Sequence, residues 1–379
     1  MTTLNKKAVA GYCYKIYLSI LGVLFLIPAV AVSQSATETN PVSTAAPLLR
    51  ISADTRAAAL GEAGIATSAD ASSIFLNAAK TVFAKEEGGL SLNHVSWLRE
   101  ITSGFYLLSL SGYQKIDDKQ AISGSIRYYN TGKVEERDYN GTLLQLATPR
   151  EFAIDAAYSR LLSDQLSMSI AFRYIRSSLG ASVNAGTTSG GAGALLGDIS
   201  VFYNGVDDEG RGFTAGAVLA NIGTGKIDYG SDNGNNGFVP ARIGVGAGYH
   251  LPIDDENKLM FTADFNKSMV PLIPDGANGI DEYYDYSVIK SYFKGIGNEA
   301  FSVSAGAEYI YKDLLSVRAG YFAESGAYGG RKYMSTGLGL KLNQFGLNFA
   351  YIVPSGDNTL GNALSNTLRF GVTFSPVKE

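Results

Sequence analysis

Two histidines are the only imidazoles in the chain, and an imidazole is the usual general base of a serine hydrolase. They are His94 and His250, and neither lies near a Gly-x-Ser-x-Gly nucleophile motif. A hydrolase acting on lipids would need its nucleophile within hydrogen-bond reach of such a base. The residue types therefore predict no catalytic residues and a protein that is not an enzyme.

Carboxylates and amides are concentrated in one segment, from Asp228 to Gly237, which has the composition of a calcium loop. No glycine falls at its sixth position and no carboxylate falls at its twelfth, as a calcium loop requires. We therefore interpret it as a surface loop and predict no metal and no cofactor. The chain has 31 Lys and Arg against 35 Asp and Glu. Because a net acidic chain has no overall attraction to nucleic acid, we predict no nucleic-acid partner.

The segment 268–300 is the predicted loop that is richest in aromatic residues. Its candidate binding residues are Tyr283, Tyr284, Tyr286, Tyr292 and Phe293. Aromatic side chains are enriched at the hot spots of protein interfaces. These five residues are therefore candidate contacts for a protein partner, and the alternative, an ordinary loop packed on its neighbours, stays open.

The segments that flank these residues show an alternation of side-chain type with a period of two residues. In the segments 152–159 and 166–174, and repeatedly from Leu92 to the C-terminus, an apolar residue alternates with a small or polar one. This is the side-chain period of a β-strand with one apolar and one wet face. Candidate strands lie near 91–98, 104–113, 121–130, 151–162, 165–177, 196–204, 213–222, 241–251, 258–267, 301–311, 314–323, 332–342, 345–353 and 366–374.

Fourteen strands of about ten residues match the number and length of strands that cross a bacterial outer membrane. Short turns, such as Asp117-Asp118 and Lys312-Asp313, alternate with mostly long loops. In hydrocarbon every backbone amide must be paired, so such a sheet has to close on itself. The predicted fold class is therefore all-β: a transmembrane antiparallel barrel of about 14 strands, with an N-terminal hatch segment.

Parity along the strands predicts which side chains face the lumen. His250 shares parity with Arg242, and we expect both to face inward. Arg173 and Asp155 lie on adjacent strands, where an ion pair would satisfy two charges in the barrel interior. Other inward positions, such as Ser123 and Ser125, are small and polar.

The N-terminus has the features of an export signal. Lysines at positions 6, 7 and 15 precede an apolar run from Ile16 to Val32, and Ala31-Val32-Ser33 resembles a signal peptidase site. We predict a signal peptide at 1–33, a hatch or plug at 34–90 and a barrel at 91–379. Removal of three lysines would lower the formal charge from −4 to −7. Cys13, the only cysteine, would be lost with the signal.

The segment after residue 55 resembles the hatch of FadL-type outer-membrane barrels. The resemblance is carried by Arg56-Ala57-Ala58-Ala59-Leu60-Gly61 and by Asn77-Ala78-Ala79, where the family motif is Asn-Pro-Ala. Asn77 and Ala79 match this motif, and Ala78 replaces the proline, which would have fixed the backbone angle. Within this superfamily the chain resembles the PorV-type barrels of the type IX secretion system. That resemblance is carried by Trp97-Leu98-Arg99, Gly112-Tyr113-Gln114-Lys115-Ile116 and 151–160 running into 171–177.

The PorV-type resemblance implies a carrier in the outer membrane of a bacterial cell. Such proteins bind the C-terminal β-domain of secreted cargo as it leaves a SprA-type translocon and pass it to a PorU-type sortase at the cell surface. The implied partners are therefore the translocon, the sortase, the C-terminal domains of cargo and the outer-membrane lipid. The competing interpretation is a FadL-like channel for hydrophobic small molecules, which the small polar inward residues disfavour.

Overall fold

The structure is a computed structural model of the chain. It describes residues 41–96, 104–137, 140–179, 183–184, 187–188, 191–223, 226–228, 236–276, 278–355 and 367–376. Three parts of the chain discussed above lie outside the described residues: the predicted signal peptide at 1–33, the residues Trp97, Leu98 and Arg99, and positions 229–235 of the segment that resembles a calcium loop.

Fourteen antiparallel strands form a closed barrel, as the sequence predicts. The first and last strands pair with each other, for example Leu92 with Val372, so the wall has no free edge. The barrel strands, numbered in chain order, are β1 Gly88–Ser96, β2 Phe105–Asp117, β3 Gln120–Thr131, β4 Arg150–Ser163, β5 Leu166–Ser177, β6 Ala192–Val206, β7 Gly212–Gly223, β8 Arg242–Pro252, β9 Asn257–Ser268, β10 Phe301–Tyr311, β11 Leu315–Glu324, β12 Lys332–Leu342, β13 Phe345–Pro354 and β14 Thr367–Phe374.

The barrel is polar inside and apolar outside. In β2, Leu108 and Leu110 point outward and are exposed, whereas Ser109 and Ser111 point inward and are buried. The same alternation continues in the neighbouring strands β3, β4 and β5. Exposure of so large an apolar surface to water would be unfavourable, whereas its contact with the hydrocarbon of a bilayer is favourable. The alternation therefore sets both the register of the wall and its membrane-facing surface.

The connections at one end of the barrel are short turns, such as 118–119 and 343–344, and those at the other end are longer. Bacterial barrels place short turns in the periplasm and long loops outside. We call the two ends the periplasmic end and the outer end accordingly. Strand β7 extends past β8 toward the outer end, and a bulge occurs opposite Gly197 and Ile199 of β6.

Residues 41–87, called the plug, pass through the lumen from the outer end to the periplasmic end. Val42 bonds to Ala327 in an outer loop, and Glu86 bonds to Lys341 near a periplasmic turn. The plug contains one short α-helix, α1, at Thr55–Ala59. Asp54 caps its N-terminus, because the Asp54 side chain accepts hydrogen bonds from two backbone N–H groups. Its other ordered turns are 3-10 helices at Pro47–Arg50, Ser73–Phe75 and Ala78–Phe83.

The outer connections contain more structure than the irregular loops that the sequence predicted. The 269–300 connection contains two helices, α2 at Gly279–Asp285 and α3 at Val288–Ile296, and a 3-10 helix occurs at Gly326–Tyr328. Small two-stranded sheets pair Val134–Arg137 with Leu143–Ala147, Val183–Asn184 with Thr187–Thr188, and Lys226–Asp228 with Asn236–Phe238. Among the described residues, no helix is both long and apolar enough to cross a membrane.

Candidate functional site

Backbone contact between the plug and the wall depends on glycine. Gly61 follows α1 with φ of 69°, in the left-handed region, and a Cβ there would lie 2.4 Å from the carbonyl oxygen of Tyr321. On the wall, a Cβ at Gly320 would lie 2.1 Å from the Gly61 nitrogen. Neither position has room for a side chain, so the plug backbone lies directly against the wall backbone.

A second contact uses a wall carboxylate. Oδ2 of Asp264 in β9 accepts hydrogen bonds from the backbone N–H groups of Gly64, at 2.7 Å, and Ile65, at 2.9 Å. Asp264 is buried. A buried carboxylate requires compensating donors, and here the plug backbone supplies them, so the bond fixes the height of the plug in the lumen.

The guanidinium of Arg56, in α1, is the main charged anchor of the plug. Its Nη2 lies 2.6 Å from Oε2 of Glu308 in β10, and its Nη1 lies 3.0 Å from Oδ2 of Asp70. Arg318 of β11 also reaches Glu308, with Nε 2.6 Å from Oε1. The Glu308 side chain is only 1% exposed. One buried carboxylate therefore joins the plug to two neighbouring strands.

The predicted ion pair between Arg173 and Asp155 is present in the lumen. Arg127 of β3 also contacts Asp155, with Nη2 3.1 Å from Oδ1. Arg173 forms a second ion pair with Asp198 of β6, with Nη2 2.9 Å from Oδ2. This chain of alternating charges crosses four adjacent strands. It lies along the wall, and each of its charges has a partner of opposite sign.

The hatch motif contacts both the plug and the wall. The Asn77 side chain accepts the Ala79 N–H at 3.0 Å and donates to the carbonyl of Val201 in β6, also at 3.0 Å. The carbonyls of Ala78 and Ala79 accept hydrogen bonds from serine hydroxyls of β4 and β5 at 2.9 and 2.6 Å. The helical turn begins at Ala78 although the family proline is absent, because the Asn77 cap supplies the start signal.

At the outer end, a buried apolar cluster joins the loops to the start of the plug. We call it the outer platform, and it consists of Val42, Phe238, Val270, Tyr283, Tyr286, Ala300 and Tyr328. Backbone bonds of 2.9 Å run from Val42 to Ala327 and from Ala45 to Phe238. The Tyr283 hydroxyl donates to the Ser43 carbonyl at 2.7 Å. No sequence pattern indicated that the plug takes part in this cluster.

The five predicted binding residues occupy different places in this end of the molecule. Tyr283 is 2% exposed and Tyr286 is 3% exposed, so both belong to the core of the platform rather than to its free surface. Burial raises the pKa of Tyr283 above its usual value. Tyr284 is half-buried, with its ring 5.5 Å from that of Tyr283. Of the remaining two residues, Tyr292 is half-buried and Phe293 is 73% exposed.

Two of the five candidate residues, Tyr283 and Tyr286, are packed in the core of the platform. Tyr283 packs edge-on against Phe238, with centroids 5.0 Å apart, and Tyr286 bonds to Glu282 at 2.8 Å. Tyr292 is also tied to the wall, because its hydroxyl both donates to the Gly223 carbonyl and accepts the Gly223 N–H at 2.9 Å. Loop aromatic residues were easy to recognise from sequence, whereas their burial depends on contacts with the distant plug.

A cavity of about 90 Å³ lies between the plug and the wall. This is well below the roughly 300–1,000 Å³ of ordinary small-molecule sites. Its charged lining residues are Arg50, Glu62, Arg127, Arg242, Glu324 and Arg331. A small cavity with this lining suits water better than an apolar ligand.

The two histidines lie on opposite faces of the wall. His94 of β1 faces outward and stacks on Tyr106, with ring centroids 6.1 Å apart. His250 of β8 faces the lumen, as its parity predicts, and its Nε2 is buried without a hydrogen-bond partner. Within the described ranges, no group of three His, Cys, Asp or Glu side chains is arranged to hold a metal ion.

The apolar exterior, the closed wall of fourteen strands and the lumen filled by the N-terminal segment define an outer-membrane barrel of the FadL-like class. Solved structures share this fold at low identity. The toluene transporter TbuX of Ralstonia pickettii has a TM-score of 0.51 and 14% identity, covering 84% of this chain and 95% of that chain. The toluene transporter TodX of Pseudomonas putida has a TM-score of 0.53 and 12% identity, covering 89% of this chain and 99% of that chain. The CymD monoaromatic hydrocarbon channel has a TM-score of 0.52 and 13% identity, covering 90% of this chain and 100% of that chain.

No curated protein matches the sequence. The family described as type IX secretion system protein PorV matches residues 34–275, which is more than half of the chain. The chain therefore belongs to the PorV family. It is a component of the type IX secretion system and resides in the bacterial outer membrane.

Proposed function

We propose that the protein holds the C-terminal β-domain of exported cargo as it leaves a SprA-type translocon and passes it to a PorU-type sortase. Family membership supports a role in this secretion system. The observation that carries the proposal is the contrast between the two parts of the barrel: the lumen is filled, and the outer end presents ordered, aromatic-rich loops. In this proposal the partner binds at the outer surface and not in the lumen.

Open strand edges on that surface suit a β-domain partner. Leu143–Ala147 pairs with Val134–Arg137 in a sheet of two strands, separate from the barrel wall. Leu143 and Leu146 of this hairpin are exposed apolar residues. A cargo strand added to such an edge would gain backbone hydrogen bonds, and neighbouring side chains would supply selectivity.

Tyr284 combines partial exposure with support from a neighbouring buried ring. Its ring rests on Tyr283, whose hydroxyl is bonded to the plug. A supported aromatic ring gives contact area at little cost in side-chain entropy, which is the usual property of a hot spot. In this proposal Tyr284 contacts cargo directly, Tyr283 and Tyr286 hold the platform, and Tyr292 holds α3 against the wall.

Transport of hydrophobic small molecules is the alternative that the fold suggests, because TbuX and TodX are toluene transporters. Transport of that kind requires an apolar site and a continuous path. The cavity here has a volume of about 90 Å³ and charged residues around it. Four plug residues, Arg56, Gly64, Ile65 and Asn77, are also hydrogen-bonded to the wall, which holds the plug in the lumen. The geometry therefore favours cargo binding.

Co-purification of a tagged cargo β-domain with detergent-solubilised protein tests the proposal. Loss of one hot-spot side chain typically costs about 2 kcal/mol, which corresponds to an affinity about thirtyfold weaker. We expect Tyr284→Ala to weaken capture by this amount. Tyr311→Ala is the matched control, because Tyr311 is a partly exposed tyrosine at the periplasmic end. Equal capture by wild type and Tyr284→Ala would remove Tyr284 from the site, and no capture by the wild type would contradict the proposal.

A further inference from the structure

Helix α3 carries an exposed apolar flank that the platform does not use. Ile289, Phe293 and Ile296 are 70%, 73% and 44% exposed. Their spacing of four and three residues places them on one side of the helix. Ser291 and Gly295, on another side, are buried. The helix is therefore amphipathic, with an outward apolar flank of three large side chains.

Contacts on the rest of the helix show which way this flank points. A Cβ at Gly295 would lie 2.0 Å from the backbone of Met269, so that side rests on the end of β9. The ammonium group of Lys290 lies 4.5 Å from the centre of the Tyr286 ring, so the lysine flank turns toward the platform. The apolar flank faces neither of these two contacts and points away from the end of β9 and from the platform.

A lysine at the end of β9 indicates the depth of helix α3 relative to the membrane. Lys267 shares outward parity with Phe265, and its Nζ bonds to the Asn298 side chain at 2.6 Å and to the Ala300 carbonyl at 3.1 Å. An outward lysine that turns to polar partners at a strand end is typical of the boundary between hydrocarbon and headgroups. Asn298 follows α3 by two residues, so the helix ends at this boundary.

The flank lies close in sequence to exposed aromatic residues on the outer face of the barrel. Near the outer end, Phe265 of β9 and Phe301 of β10 are exposed on the outer face, with ring centroids 5.8 Å apart. Phe301 begins β10 five residues after Ile296 ends α3. Aromatic residues at strand ends are typical of the membrane interface. The apolar flank and the outward-facing ring of Phe301 are therefore separated in sequence by only the four residues 297–300.

We propose that α3 is an interfacial helix that lies in the headgroup layer of the outer leaflet, with Ile289, Phe293 and Ile296 against the lipid acyl chains. Amphipathic helices bury their apolar side in this way at membrane surfaces. The partner is the lipid surface itself. The proposal reassigns Phe293 from cargo contact to lipid contact and rests on the outer-membrane location, not on cargo binding. In this position the helix, which is bonded through Tyr292 to Gly223, would hold the platform at a fixed height above the bilayer.

Tryptophan fluorescence in vesicles tests the position of the helix. Trp97 is the only tryptophan, so Phe293→Trp is placed in a Trp97→Phe background. The protein is reconstituted in phosphatidylcholine vesicles with acyl chains brominated near the headgroup end. We expect blue-shifted emission and quenching at least about twofold stronger than in the control described next.

The matched control is Lys294→Trp, one residue along the same helix on the lysine flank. Both variants must show the heat-dependent gel mobility of a folded barrel. Stronger quenching at position 293 than at position 294 supports the proposal. Equal quenching at the two positions, or emission from position 293 like that of tryptophan in water, would overturn it and leave the flank free for a protein partner.

Discussion

Glu308→Gln should loosen the plug while the barrel remains closed. Glu308 is the carboxylate on which Arg56 of the plug and Arg318 of the wall converge, at 2.6 Å each. Glutamine keeps the size of the side chain and removes its charge. The two guanidinium groups would then lie side by side in the lumen, with Asp70 as the remaining acidic partner of Arg56.

The expected cost follows from burial. The Glu308, Arg318 and Arg56 side chains are 1%, 6% and 14% exposed. Removing one partner of a buried ion pair typically costs about 3–5 kcal/mol, because the other charge is left uncompensated. This free energy corresponds to a shift of about a hundredfold to several thousandfold in the equilibrium between docked and locally undocked plug. The remaining bonds to Asp264 should keep the segment in the lumen.

Thiol accessibility measures the undocked fraction. Ser72→Cys adds a nearly isosteric thiol beside Asp70, and the only natural cysteine, Cys13, lies in the predicted signal peptide. We expect slow labelling by a membrane-impermeant maleimide in the otherwise wild-type protein. Labelling should become much faster in Glu308→Gln, and the low conductance expected of the wild type in planar bilayers should become noisy.

The control substitution is Asp313→Asn, which breaks a pair with Lys258 of similar length, 2.7 Å, at the periplasmic surface. The Asp313 side chain is 64% exposed, and such pairs contribute no more than about 1 kcal/mol. Labelling should not change in this variant. Equal labelling of Glu308→Gln and wild type would refute the argument that buried charge holds the plug.

Four further predictions follow from the same contacts. Gly320→Val should prevent assembly of the heat-modifiable barrel, because its side chain would overlap the plug backbone; normal gel mobility would contradict this. Asp264→Ala leaves two buried N–H groups without an acceptor, at about 1–3 kcal/mol each, and should lower the melting temperature of the purified protein. Tyr283→Phe should remove about 0.5–1.5 kcal/mol of hydrogen-bond energy and speed tryptic cleavage of the outer loops, with Tyr309→Phe as the control. Intact-mass measurement should show a mature chain starting near Gln34, and retention of residues 1–33 would contradict the predicted signal peptide.

The wall of the barrel was predictable from the sequence because one physical constraint acts on every strand. Lipid outside and polar contacts inside impose the alternation seen in Leu108 to Ser111, and all fourteen predicted strands are confirmed. The same parity predicted that His250 and the Arg173–Asp155 pair face the lumen. Only strand ends differ appreciably, as in β6, which begins at Ala192 rather than near 196.

The outer end was less predictable because its order comes from contacts that are distant in sequence. Tyr283 is buried by Ser43 and Phe238, which lie 240 and 45 positions earlier in the chain. Local composition reports that an aromatic residue is present and says nothing of such partners. The plug anchors were also missed, although inward parity could have identified Asp264 and Glu308 as charged residues that require a partner in the lumen.

Surface display of cargo in a deletion strain tests the carrier function most directly. The protein's gene is removed, and a cargo with its native C-terminal β-domain is followed by protease accessibility on intact cells. The account predicts that cargo is lost from the surface and that expression of the wild-type protein restores it. Normal display of cargo in the deletion strain would contradict the account.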